Sequence, residues 1–192
     1  MKIAVILVSV FALASCGGAN PPDRRLGPLE AFEAAKFALR NKDALGFYDA
    51  LGDESAMFLL RNTVLLCLGA NGSEAAHLGL EPNPECLNVM EAYGWPDKVY
   101  DPIGTEELWV NLRSIIEPRK LAAALDTEIR TSGSGSSFVW DHLEPVLIGE
   151  ITVSGNEARA DVSWSGVPGA LRFVRDETGW RVETIAPDVQ IE

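Results

Sequence analysis

The sequence predicts an α+β fold, in which N-terminal helices precede a C-terminal antiparallel β-meander. Two patterns carry this prediction. Over much of residues 29–130, apolar residues recur at spacings of three and four, which is typical of amphipathic helices. From residue 146 they recur at every second position, which is typical of strands with one buried face. Helices first and strands last within one chain indicate the α+β class.

The predicted helices follow one another from residue 29 onward. Apolar periodicity predicts helices over residues 29–40, 44–51 and 56–68. Asp53 or Ser55 is expected to cap the third of these, because both side chains can accept a backbone N–H at a helix start. Gly69 is expected to end it, since glycine readily adopts the left-handed conformation found after helices.

The second half of the helical region is more broken. Residues 69–104 contain many Gly and Pro residues, so we expect an irregular connection with one short helix over residues 85–93. Thr105 is expected to start a helix that continues to Ile116, and Pro118 to open a turn. The last helix ends near Arg130; its apolar positions are Leu121, Leu125 and Ile129.

Four strands are predicted in the last third, after the Ser- and Gly-rich residues 131–137. The first covers residues 146–153, and turn residues separate it from the others. The inward positions of the following strands are Ala158, Ala160, Val162 and Trp164, then Leu171 and Phe173, then Trp180, Val182 and Thr184.

Composition indicates one acidic globular domain. The chain has 192 residues, of which 47% are hydrophobic, and this excludes a disordered or collagen-like chain. It carries 16 Lys and Arg against 28 Asp and Glu, for a net charge of −12. Because nucleic-acid binding depends on basic side chains that neutralise phosphates, we expect no nucleic-acid partner.

The N-terminus has the pattern of an export signal. Lys2 precedes an apolar run over residues 3–13, which matches the ~7–15 residues of a signal-peptide core and is shorter than the ~20 residues of a membrane span. We therefore predict a signal peptide over residues 1–15. Its removal takes Lys2 away and leaves an even more acidic domain.

The run ends in Leu13-Ala14-Ser15-Cys16-Gly17, which resembles the lipobox of bacterial lipoproteins. The resemblance implies that a diacylglyceryl group is attached to the Cys16 sulfur, that cleavage occurs just before Cys16, and that acyl chains such as palmitate hold the protein on a membrane of the cell envelope. With Gly17 in place of Asp, it further implies the outer membrane, facing the periplasm, in a Gram-negative organism. The alternative is an ordinary secretory signal, with Cys16 an incidental thiol.

The predicted organisation follows from this anchor. Residues 16–28 form the lipidated cysteine and a Gly- and Pro-rich tether, and residues 29–192 form a single α+β domain. The other two cysteines, Cys67 and Cys86, flank a turn-rich stretch. In an oxidising compartment we favour a disulfide between them, worth ~3 kcal/mol in the chain-entropy model. Two buried free thiols are the alternative, because Cys67 lies in an apolar run.

The first two helices and the closing Gly179-Trp180-Arg181-Val182 hairpin are similar to the cone fold of the nuclear transport factor two-like (cystatin-like) superfamily. The similar parts are residues 29–51 and 151–185, whereas residues 53–137 depart from the family pattern. The resemblance implies a cone-shaped sheet wrapped on a helix, with a pocket at its wide end. Some members of that superfamily are enzymes and many only bind or scaffold, so the fold does not choose a function.

No motif in the chain names a reaction. His77 and His142 are the only histidines, and Asp141 and His142 would point to opposite faces of a strand. No phosphate-binding loop or zinc-ligand spacing occurs, so we predict no catalytic residue, no metal and no cofactor.

Two further residue groups have structural and functional interpretations. The five Trp residues are expected to pack in the core, with an aromatic-lined pocket as the alternative. The acidic pairs Asp53-Glu54 and Glu106-Glu107 are expected to be favourable charges at helix starts and not a glycosidase-type carboxylate pair.

Two functions stay open from the sequence. The favoured one is a membrane-anchored envelope lipoprotein with a non-catalytic binding or interaction role. Its partners would be the membrane, through the lipid anchor, and an envelope protein or a small apolar ligand. The alternative is an envelope enzyme with its active site in the cone pocket.

Overall fold

The predicted fold class is confirmed. A computed structural model describes residues 27–71, 76–77, 83–95, 105–132, 146–164 and 167–183. Helices occupy the N-terminal part, and a four-stranded antiparallel sheet follows at the C-terminal end. The six helices are α1 (Pro28–Arg40), α2 (Ala44–Asp49), α3 (Asp53–Cys67), α4 (Pro84–Ala92), α5 (Thr105–Ser114) and α6 (Pro118–Ser132).

Two helix ends are set by the residue types found there, a glycine after α3 and a proline at the start of α6. Gly69 adopts a φ of 74° after α3, as the sequence predicted. Pro118 is the first residue of α6 and not part of a turn, because proline is well suited to a first helical position.

The expected cap of α3 is wrong. Helix α3 begins at Asp53, and its N-cap is Gly52, which provides no side-chain hydrogen bond. The reason is a tertiary contact, since the Gly52 N–H donates to the carbonyl of Val182 in the sheet at 2.8 Å. Ser55 lies inside the first turn and donates its hydroxyl to the Glu183 carbonyl.

The main sheet is a meander of four consecutive strands. These are β3 (Val146–Ser154), β4 (Glu157–Trp164), β5 (Val167–Asp176) and β6 (Gly179–Val182), and each pairs antiparallel with the next. A separate two-stranded hairpin joins β1 (Ala70–Asn71) to β2 (Ala76–His77). That hairpin lies in the stretch predicted to be irregular, and strands of two residues are too short to show a period.

One face of the sheet forms the core together with the helices. The buried residues on this face include Ala158, Ala160, Val162, Leu171, Phe173, Trp180 and Val182. Helix α1 contacts β6, and its Lys36 ammonium donates to the carbonyl of Val146 at the start of β3, at 3.2 Å. Helix α1 therefore reaches from one edge strand of the sheet to the other.

A short segment connects the helices to the sheet. We call residues 48–53, which join α2 to α3, the joint. Leu51 forms a parallel bridge with Val182 at the free edge of β6. The Val182 N–H donates to the Ala50 carbonyl at 3.0 Å, and the Gly52 N–H donates back to Val182. The joint thus extends the sheet beyond β6.

Two arginines from distant parts of the chain bind the carbonyls of the joint. Arg119 of α6 donates to the carbonyls of Tyr48 and Leu51, the latter at 2.8 Å, and to the Asp53 carboxylate at 2.6 Å. Arg181 of β6 donates to the Asp49 carbonyl and approaches that of Leu51 at 3.5 Å. Carbonyls at the end of a helix lack partners within the helix, so the guanidinium groups satisfy them.

We predict that Arg181→Gln destabilises the fold by about 2 kcal/mol or more, because hydrogen bonds from a charged donor contribute ~1.5–3 kcal/mol each. Arg175→Gln is the matched control, since Arg175 is an exposed arginine on the neighbouring strand. Urea unfolding measures both. An equal loss for the two variants would contradict the role given to Arg181.

Candidate functional site

Several residues singled out from the sequence lie outside the described part of the chain. Cys16, His142 and Trp140 belong to this group. The backbone of His77 is described as part of β2, whereas its side chain is not. The lipidation of Cys16 therefore stays a prediction.

The structure joins Cys67 and Cys86 by a disulfide, with their Cα atoms 5.6 Å apart. Cys67 ends α3 and Cys86 lies in the first turn of α4; both are fully buried. Asn83 holds the two helix ends together beside the disulfide, because its side chain caps α4 and its N–H donates to the Cys67 carbonyl at 2.9 Å. The bridge fixes the end of one helix to the start of the next.

The described tryptophan side chains are packing residues. Trp95 and Trp180 are buried in the core. Trp109 is partly buried, and the Arg61 guanidinium lies over its ring at 5.8 Å. This arrangement agrees with the expected core role; the side chains of Trp140 and Trp164 are outside the described set.

The most perturbed carboxyl group lies beside the joint. Glu183 directly follows β6 and is only 9% exposed. Its backbone N–H donates to the Arg172 carbonyl at 2.8 Å, and its carbonyl accepts from Ser55. Its carboxyl group faces the side chain and the backbone amide of Glu54, in the first turn of α3. We call Glu54 and Glu183 the carboxyl pair.

The space around the Glu183 carboxyl group is closely filled. A Cβ atom at Gly52 would overlap the Glu183 Oε2 atom and would lie 3.2 Å from a methyl carbon of Val174. Only glycine fits at this position without a shift of Glu183. Among the described residues, Glu183 Oε2 is buried and has no hydrogen-bond partner.

This environment changes the titration of Glu183. Burial raises the pKa of its carboxyl group to about 7, and the negative charge of Glu54 acts in the same direction. A hydrogen bond between the two carboxyl side chains also raises the pKa, whereas the Glu54 amide and the Arg172 guanidinium lower it. Near neutral pH Glu183 therefore retains a proton, in part of the molecules, that a glutamate with an ordinary pKa has lost.

A carboxyl group that titrates near neutral pH can act as a general acid or base. Here, however, the Glu183 carboxyl group is packed against Gly52, and its Oε2 atom is buried. The geometry favours a structural role for the carboxyl pair over proton transfer to a bound substrate.

Sequence analysis missed Glu183. The alternation of Trp180 and Val182 places residue 183 on the face opposite the core, where a carboxylate looks ordinary. Its burial depends on the joint, which packs against the end of β6. The two segments are far apart in the sequence; Leu51 and Arg181, for example, are separated by 130 residues. Glu54 was recognised only as a favourable charge at a helix start.

A second polar cluster lies between the helices. Tyr48 is buried in α2, and its pKa is raised by burial and by the negative charge of Asp126, so its phenol stays neutral. Asp126 of α6 is 3% exposed and forms an ion pair with Arg130 at 3.2 Å. Thr63 hydrogen-bonds the phenol and lowers that pKa in part. The polar side chains of this cluster thus provide partners for one another between the packed helices.

Neither cluster resembles a metal centre. No group of three or more His, Cys, Asp or Glu side chains converges among the residues that the structure describes. None of the helices in these described ranges is long and apolar enough to cross a membrane.

Comparisons with known proteins add no relative. No family model, no curated protein and no solved structure matches this chain.

The titration of Glu183 predicts a pH dependence of stability. Its pKa rises from 4.5 to about 7 on folding, so its stabilising contribution is complete below pH 4.5 and is lost as pH rises through 7. A shift of this size corresponds to about 3 kcal/mol. We expect the free energy of unfolding of the wild type to fall by about that amount, relative to Glu183→Gln, between pH 4.5 and pH 8.

The comparison with Glu183→Gln cancels the contribution that other titrating groups make to the pH dependence of the free energy of unfolding. Asp176, for example, is partly desolvated, yet Thr178 and Arg181 lower its pKa to about 2, and it titrates identically in both proteins. Urea unfolding at a series of pH values measures the difference. Parallel curves for wild type and variant would contradict the assigned titration.

Proposed function

We propose that this chain is a lipid-anchored protein of the bacterial cell envelope, and that its folded domain binds a partner and does not catalyse a reaction. The partner is an envelope protein or a small apolar ligand, and the net charge of −12 disfavours nucleic acid. The anchor is Cys16, with a signal peptide over residues 1–15.

The pairing of the cysteines is the observation that supports the anchor. The chain has three cysteines, and Cys67 and Cys86 are bonded to each other. Structural disulfides are typical of proteins outside the cytoplasm. Cys16 is the remaining cysteine, and it follows directly after an export-type apolar run. Two or three acyl chains on this residue hold a protein stably on a membrane, whereas one chain does so only marginally.

The geometry of the titratable groups favours binding over catalysis. An enzyme of the alternative type would need acidic and basic side chains that converge on an open cavity. Of the two clusters built by the described residues, the groups with raised pKa values are buried: Glu183 lies against Gly52, and Tyr48 lies between helices. The second candidate, an envelope enzyme with an active site in a cone pocket, has less support.

The anchor is tested by metabolic labelling of the full chain in a bacterial host with a clickable palmitate analogue. We expect the wild type to carry the label and to sediment with membranes. Cys16→Ser should lose the label and accumulate as unprocessed precursor, because the acceptor sulfur is gone. The matched control, Cys67→Ser with Cys86→Ser, should keep the label. A Cys16→Ser protein that is still labelled would overturn the assignment.

A further inference from the structure

The carboxyl pair lies where two parts of the fold meet. Glu54 belongs to the first turn of α3, and Glu183 directly follows the last strand of the sheet. The Ser55 hydroxyl and the Glu183 carbonyl add a second contact between the same two elements. Any force between the two carboxyl groups therefore acts on the contact between helix α3 and the sheet.

We propose that the carboxyl pair is a proton-operated latch: it holds the first turn of α3 against the end of β6 while Glu183 carries a proton, and it releases that turn when the proton is lost. The latch goes beyond a binding role and is independent of the lipid anchor.

The packing around Glu183 explains why the proton is needed. Glu183 is nine-tenths buried, and its Oε2 atom has no donor among the described residues. An ionised oxygen in this position would lack both water and a partner, and a second carboxylate lies beside it. The Glu183 carboxyl group is packed against Gly52, whereas Glu54 is exposed, so Glu54 is the member of the pair that moves away when the proton is lost.

The charged groups around the pair cannot replace the proton. Arg172 of β5 is the cation that acts on Glu183, and its effect is smaller than that of burial and Glu54. Arg119 is bound to Asp53 and to carbonyls of the joint. Arg181 is bound to Asp176 and to the Asp49 carbonyl. The partial positive charge at the start of α3 favours an anion, yet the balance of these effects still raises the pKa of Glu183.

Opening of the latch is local. The bonds of Arg119 and Arg181 to the joint do not involve Glu54 or Glu183. After the proton has left, Arg181 keeps the joint on the sheet, and Arg119 keeps it, together with Asp53, on α6. The movement is thus confined to the part of the first turn of α3 that follows Asp53, and the rest of that helix stays fixed by the disulfide at Cys67.

Hydrogen exchange with mass spectrometry on the full-length chain in mild detergent tests the latch. Protection of a peptide over residues 53–58, corrected for the intrinsic pH dependence of exchange, should fall about tenfold between pH 5.5 and pH 8.5. A peptide from within α6, residues 121–129, should keep its protection. Unchanged protection of residues 53–58 over this pH range would overturn the proposal.

Two variants separate the latch from a general effect of pH. Glu183→Gln keeps the shape of the side chain and cannot ionise, so residues 53–58 should stay protected at both pH values. Glu177→Gln, in the exposed turn between β5 and β6, should behave as the wild type does. If Glu183→Gln loses protection with pH as the wild type does, the latch is wrong.

A direct titration decides the question even if Glu183→Gln does not fold. Carbon-13 labelling of the glutamate side-chain carboxyl groups in the wild type should show one group that titrates near pH 7. Titration of every glutamate carboxyl group below pH 5.5 would overturn the proposal.

Discussion

The carbonyl groups of residues 48–51 lie between the helices and the sheet, and they must find hydrogen-bond donors there. Tyr48, Ala50 and Leu51 are almost completely inaccessible to water. An unpaired backbone carbonyl in such a place is strongly unfavourable. The donors come from two distant elements, α6 and β6, so the helices and the sheet are held in one arrangement by the requirement to satisfy a single short segment.

This requirement also explains the distribution of charge. The chain is strongly acidic, yet two of its arginines, Arg119 and Arg181, are directed at backbone carbonyls of the joint. A guanidinium group offers several donors in a fixed plane and can therefore serve two carbonyls and one carboxylate at once. At the start of α3, the Glu183 carboxyl group lies beside that of Glu54, and burial and the charge of Glu54 raise the pKa of Glu183 to about 7. The joint thus combines permanent positive charge with a negative charge that depends on pH.

Much of the fold could be predicted because it depends on local patterns. Apolar periodicity located all six helices, and alternation located the four strands of the sheet. The wrong N-cap of α3 was decided by a contact between distant residues. Gly52 replaced Asp53 or Ser55 as the N-cap of α3 because the sheet binds the Gly52 amide.

The candidate site was less predictable than the fold. The sequence indicated a pairing of Cys67 with Cys86 from the compartment implied by the N-terminus. It gave no sign of the burial of Glu183, because a glutamate after two inward-facing residues has the pattern of a solvent-exposed position. Its special environment arises only when a segment from the start of the domain packs against it. The similarity to the nuclear transport factor two-like cone stays a prediction.

Native-state hydrogen exchange at the joint tests the central claim most directly. At pH 6, where Glu183 holds its proton, the amides of Gly52 and Val182 should exchange only when the whole domain unfolds. Their opening free energy should then equal that of the Phe173 amide in the sheet core. A clearly lower opening free energy at Gly52 and Val182 than at Phe173 would show that helices and sheet separate independently, and it would contradict the account.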